Sequence, residues 1–216
     1  MIKKMTFSVL SACVILSSVP LANAEASTAS IDASSKFSYT SQLGKEVLNI
    51  DGITYTVDYN YTEDNTTAVI TNTLDNSIEI VSYDLTNSTI YYNGKAMSTN
   101  GNDRLNALST QNFAVKADDD FKSIQTGSEK ITWAKGITVA ALAVMIAVPI
   151  AGLGSPGVIA AMGLSGLATI AGGAIGGTVN WDYQRMIIPF VPPIHRYVWS
   201  FTASTGDYYG TYIYQP

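Results

Sequence analysis

Residues 136–181 contain no Asp, Glu, Lys, Arg or His, an uncharged run of 46 positions. A stretch that long and that apolar cannot stand bare in water, so it must be covered by protein or by lipid. The rest of the chain agrees. Only 13% of its 216 residues are charged, against about a quarter in an ordinary soluble domain. With 17 acids against 12 bases the net charge is −5, which would repel phosphate and argues against a nucleic-acid partner. A hydrophobic share of 47% is equally unlike a disordered chain. One histidine and one cysteine leave no material for a His/Cys metal cluster, and no cofactor is expected.

Residues 1–24 read as a secretory signal peptide. Lys3 and Lys4 form the positive start, residues 5–19 the apolar stretch, and Ala22-Asn23-Ala24 the small-x-small cleavage site. Leu10-Ser11-Ala12-Cys13 also has the order found before a lipidated cysteine, and an uncleaved anchor is a third reading. Cleavage after Ala24 makes the expected product secreted and free of cysteine, with 10 bases against 17 acids, a net charge of −7. The charge divides unevenly. Residues 25–120 hold 14 acids and 5 bases, whereas residues 121–216 hold 3 acids and 5 bases, so two parts with different partners are expected.

Residues 25–45 read as a flexible lead-in. Residues 46–97 break into short Thr-, Tyr-, Val- and Ile-rich runs, with turn pairs at Asp51-Gly52, Asp75-Asn76 and Asn93-Gly94. Asp-Gly and Asn-Gly favour type I′ hairpin turns, so an antiparallel meander with one buried face is expected. Residues 98–130 read as a polar linker with a short helix at 104–112; Asp118-Asp119-Asp120 lacks the spaced ligands of a calcium loop. Residues 131–180 read as a helical hairpin, turning at Gly152, Gly154, Pro156 and Gly157. Its second arm, residues 158–180, would extend about 34 Å at 1.5 Å per residue, enough for a hydrocarbon core of about 30 Å. Residues 181–216 form an aromatic tail in which 196–203 and 208–214 pair as a β-hairpin. The fold class is therefore α+β: a small antiparallel β-meander, a hydrophobic Gly/Ala-rich helical hairpin, and a C-terminal aromatic β-hairpin.

Catalytic patterns are weak. His195 is the only histidine, and no serine lies in a Gly-x-Ser-x-Gly elbow. Gly152, Gly154 and Gly157 match the spacing of a dinucleotide loop, but they lie between two apolar helical segments rather than after a strand. Paired carboxylates remain open, because their separation is spatial. No enzyme is expected.

The membrane pattern is more specific. Ala168, Gly172 and Gly176 recur at four-residue spacing, beside a second track of Ser165, Thr169, Gly173 and Gly177. On a helix these make a smooth stripe for close helix pairing. Glycine costs a helix in water about 1 kcal/mol relative to alanine, while lipid compels internal backbone pairing. Trp133 and Lys135 stand before the apolar helical segments and Trp181, Tyr183 and Arg185 after them, as interfacial anchors would. A soluble core hairpin, a permanent two-helix anchor and a soluble form that later inserts all fit.

The leader, the Thr/Tyr-rich region with Asp51-Gly52 and Asn93-Gly94-Lys95, the Gly/Ala-rich run through residues 135–177 and the aromatic tail together resemble the large secreted bacteriocins of the geobacillin type from Gram-positive bacteria. The small-residue stripe is similar to that of two-peptide bacteriocins, although length and the acidic β-region differ. The resemblance implies an antibacterial protein acting on related bacteria, with no catalytic residues. The expected partners are bacterial membrane lipid, a target-cell receptor and a second copy of the chain. The alternative is a non-enzymatic cell-surface binding or structural protein, whose hairpin is a buried core or an anchor.

Overall fold

The computed structural model describes residues 27–30, 37–42, 44–97, 120–150 and 152–216. The expected signal peptide with its site at Ala24, the helix at 104–112 and Asp118-Asp119 lie outside the described residues. The first half is one eight-stranded antiparallel sheet in chain order: β1 (Ser27–Ser30), β2 (Phe37–Gln42), β3 (Lys45–Ile50), β4 (Ile53–Tyr61), β5 (Asn65–Asn72), β6 (Ile78–Asp84), β7 (Thr89–Tyr92) and β8 (Lys95–Ala96). Period-two alternation makes its buried face: Leu48 and Ile50, Tyr55 and Val57, Ala68 and Ile70, Val81 and Tyr83 all point inward.

Turn chemistry sets the register. Asp51 and Gly52 take φ of 53° and 82°, the paired positive values of the expected type I′ turn. Asp84 closes the β6–β7 hairpin, accepting from the Thr86 amide at 2.9 Å and its hydroxyl at 2.6 Å. The Thr86 hydroxyl leads the bonds that hold the Asp84 carboxyl below its usual range.

A second, four-stranded antiparallel sheet has the order β12-β11-β10-β9, with β9 (Lys122–Thr132), β10 (Gly176–Met186), β11 (Ile194–Ala203) and β12 (Tyr208–Tyr214). The two sheets meet where Met97 O accepts the Thr132 amide at 2.7 Å and hydroxyl at 2.8 Å. Between β9 and β10 lie α1 (Val139–Ala147), α2 (Gly154–Met162) and α3 (Leu164–Gly173). α1 packs on β5, β6, α2 and α3, while α2 also meets β12. Residues 140–147 are eight consecutive positions at 2% exposure or less. The helical unit is thus the shared core of both sheets.

The architecture is α+β as expected, but several boundaries change. The lead-in contributes β1 and β2, and the linker ends in β9, whose register with β10 satisfies backbone groups along eleven residues. The expected two-helix hairpin is three short helices. Gly163, at φ 75° and ψ 153°, breaks the second arm, and α2 and α3 are bent by 93°. Among the described residues no single helix is long and apolar enough to cross a membrane, although this bent pair could by length and composition. From Gly176 the chain is strand, because Val179 and Trp181 alternate into the core and β9 and β11 flank it on both sides. Gly127 stands opposite Trp181, and a Cβ there would overlap the indole ring. The terminal hairpin of β11 and β12 lies where the sequence places it.

Candidate functional site

Three carboxylates sit on the buried faces of their strands, in phase with apolar neighbours: Glu46 with Leu48, Glu79 with Val81, and Glu129 with Ile131. Each reaches across the molecule. Ser155, in the first turn of α2, donates its hydroxyl to Glu46 at 2.5 Å, and Tyr59 donates to the same carboxylate at 3.2 Å. Thr138, the N-cap of α1, accepts from the Ala141 amide at 3.1 Å and donates to Glu79 at 2.5 Å. Tyr92 also donates to Glu79. Tyr83 donates to Glu129 at 3.0 Å and ties the two sheets together.

Two acids of the meander therefore hold the N-terminal turns of two uncharged helices, where the helix dipole favours negative charge. The acidic half and the apolar half are therefore not separate structural parts. They share one core.

Glu46 also lines a cleft of about 650 Å³ between the meander and the α1–α2 turn, with Tyr59, Tyr61, Tyr83 and Leu85 on one side and Val148, Pro149 and Ile150 on the other. Tyr59 and Tyr61 stack with ring centroids 5.8 Å apart. Burial pushes the Glu46 carboxyl above its ordinary 4.5, and the bonds from Ser155 and Tyr59 draw it only part of the way back. Burial, followed by the Glu46 charge, holds the Tyr59 hydroxyl well above its ordinary 10.

The sign of the stability effect follows. The folded protein binds the Glu46 proton more tightly than the unfolded chain, so this group weakens the fold as pH rises from about 4.5 through its raised value. Glu46→Gln should therefore raise the urea midpoint at neutral pH and leave it nearly unchanged in acid. A midpoint lowered at neutral pH would mean that the charge on the α2 N-terminus outweighs its own desolvation.

The structure divides the predicted small-residue stripe. Ala168, Gly172 and Gly173 lie exposed on the outer side of α3, where a Cβ at either glycine meets nothing within 4 Å. Gly176 and Gly177 are buried in β10. A continuous helix-pairing surface thus does not exist in this form, because the chain changes from helix to strand between the two pairs. In the hairpin turn, Gly152 lies between α1 and α2, its carbonyl accepting from Tyr214 at 2.5 Å. Gly154, Pro156 and Gly157 instead belong to α2, and a Cβ on Gly154 would come within 2.5 Å of Glu46 Oε1.

The expected interfacial anchors are also separated. Trp133 is in the core, donating to Ala174 O at 3.0 Å, and Trp181 is buried. Lys135 and Arg185 are exposed, and Tyr183 is half-buried, stacked on Tyr197 at 4.7 Å and bonded to His195 Nδ1 at 2.7 Å. Sequence reasoning passed over Glu46 and Glu79, though an acid in phase with an alternating apolar face was the available signal.

Among the described residues no group of three or more His, Cys, Asp or Glu could hold a metal ion. No protein-family model, characterised protein or solved structure matches the chain.

Proposed function

We propose that this is a secreted, non-enzymatic antibacterial protein that delivers its uncharged helical unit, α1 to α3, to a target membrane. The observation that carries the reading is the way this unit is stored. Residues 140–147 are fully enclosed, and side-chain hydrogen bonds from Ser155 to Glu46 and from Thr138 to Glu79 hold its helix starts. Such bonds can be exchanged for water, whereas the unit once uncovered has no charged residue to keep it there. The meander would then be the soluble carrier, with membrane lipid as partner and a target-cell receptor or self-association as further ones.

Dye release from anionic vesicles by the chain starting at residue 25, with and without limited proteolysis, tests this reading. Release at low protein-to-lipid ratio is expected. Protein that reaches the vesicles yet releases nothing in either condition would remove it.

A second reading draws on the cleft. A tyrosine-lined concavity with one buried carboxylate suits a cell-surface binding protein, in which the helices are simply core. Retention of the protein on producer cells, rather than in the medium, would favour that alternative.

A further inference from the structure

The turn joining β10 to β11 is residues 187–193, Ile-Ile-Pro-Phe-Val-Pro-Pro, and all seven are exposed. Phe190 is fully exposed, and Ile187 and Val191 show 66% and 48% of their surface to solvent. The Val191 amide donates to Ile188 O at 3.2 Å, closing a tight turn with Pro189 and Phe190 at its two central positions. Phe190 takes φ of 68°, where such a turn ordinarily carries glycine. A bulky residue there is strained, so the turn gives up local stability to hold an aromatic ring at its apex.

We infer that this tip is a lipid-docking loop, which seats in the interfacial layer of an anionic membrane. Three features select lipid as the occupant. First, Pro189, Pro192 and Pro193 carry no amide hydrogen and the Val191 amide is already bonded, so few backbone donors would be stripped of water on insertion. Second, strand register places Lys122, Arg185 and His195 side by side in one row at the foot of the loop. Among the described residues Lys122 and Arg185 form no ion pair, and these two cations match anionic headgroups at the depth where apolar side chains end. Third, a stable protein interface needs about 800 Å² from each partner, more than a seven-residue projecting turn offers.

The inference rests on the membrane-active reading for its occupant, but it assigns contact to the loop and leaves membrane damage to the helices. Vesicle flotation reads the first and dye release the second. Full-length protein from residue 25 should float with phosphatidylglycerol vesicles and float less with phosphatidylcholine alone. Phe190→Gly should weaken flotation about tenfold or more, since a buried phenylalanine is lost. It should also keep or raise the urea midpoint, because glycine relieves the positive φ; a merely structural role for Phe190 would lower it. Lys122→Gln with Arg185→Gln should reduce binding to the anionic vesicles only. Wild type that floats with neither vesicle, or Phe190→Gly that floats like wild type, overturns the inference. Protein that floats through the loop and releases no dye leaves the docking loop standing and removes the membrane-damage reading.

Discussion

Gly177→Leu should prevent folding, while Gly173→Leu, four positions earlier on the same sequence track, should be nearly silent. In β10 a Cβ at Gly177 would enter the Phe201 ring and come within 2.7 Å of the Thr202 carbonyl. Phe201 is fully buried and the carbonyl is backbone, so neither can move aside. Overpacking of a core costs about 1–3 kcal/mol and more when backbone is displaced, a large part of the 5–15 kcal/mol that holds a domain. Gly173, by contrast, ends α3 with open space around it. Soluble yield and urea midpoints of the two single variants check this. Equal damage from both would mean that the two glycines share one helix face after all. If Gly173→Leu folds normally yet loses dye release, the exposed side of α3 is used only at the membrane.

Leu142→Ala should cost about 2–5 kcal/mol, the usual range for a fully buried leucine whose site cannot collapse. Leu142 lies at the centre of α1 with no exposure, in the helix that packs against β5, β6, α2 and α3 at once. The same variant bears on function. If the helical unit must leave its sheath, loosening α1 should speed dye release even as the urea midpoint falls. A lower midpoint with slower or unchanged release would show that leaving the sheath is not the limiting event.

Much of the architecture was legible because its signals are local. Asp51-Gly52 specifies its own turn, and the alternation of Leu48 and Ile50, or of Val81 and Tyr83, specifies which side of the strand is buried. The terminal hairpin was legible for the same reason. β9 was not, because residues 122–126 are exposed on both sides and carry no apolar alternation; the partner strand β10 makes it a strand. The opposite error arose in β10. Its glycines fit a helical stripe as well as a strand, and periodicity alone cannot separate the two when small residues fill both patterns.

The candidate site depended even more on distance. Glu46 and Ser155 are 109 residues apart, and Glu79 and Thr138 are 59 apart. Nothing in either neighbourhood names the other. What could be read was a carboxylate in phase with an apolar face, a local inconsistency that requires a polar partner somewhere in the core. The apolar loop at 187–193 was not singled out in the sequence, because its projection is a property of the strands beneath it.

The sequence by itself determined that residues 136–181 must be covered, that the first half pairs as an antiparallel meander, and that the last strands form a hairpin. Charge, period-two alternation and turn chemistry act within a few residues and need no knowledge of the fold. Only the tertiary structure decided what covers the uncharged run, where its helices stop, and which acids hold them. Those outcomes turn on groups brought together across 59 and 109 residues of chain. They follow from burial in a common core, where a carboxylate needs a polar partner at close range and a glycine such as Gly177 is fixed by the ring packed against it.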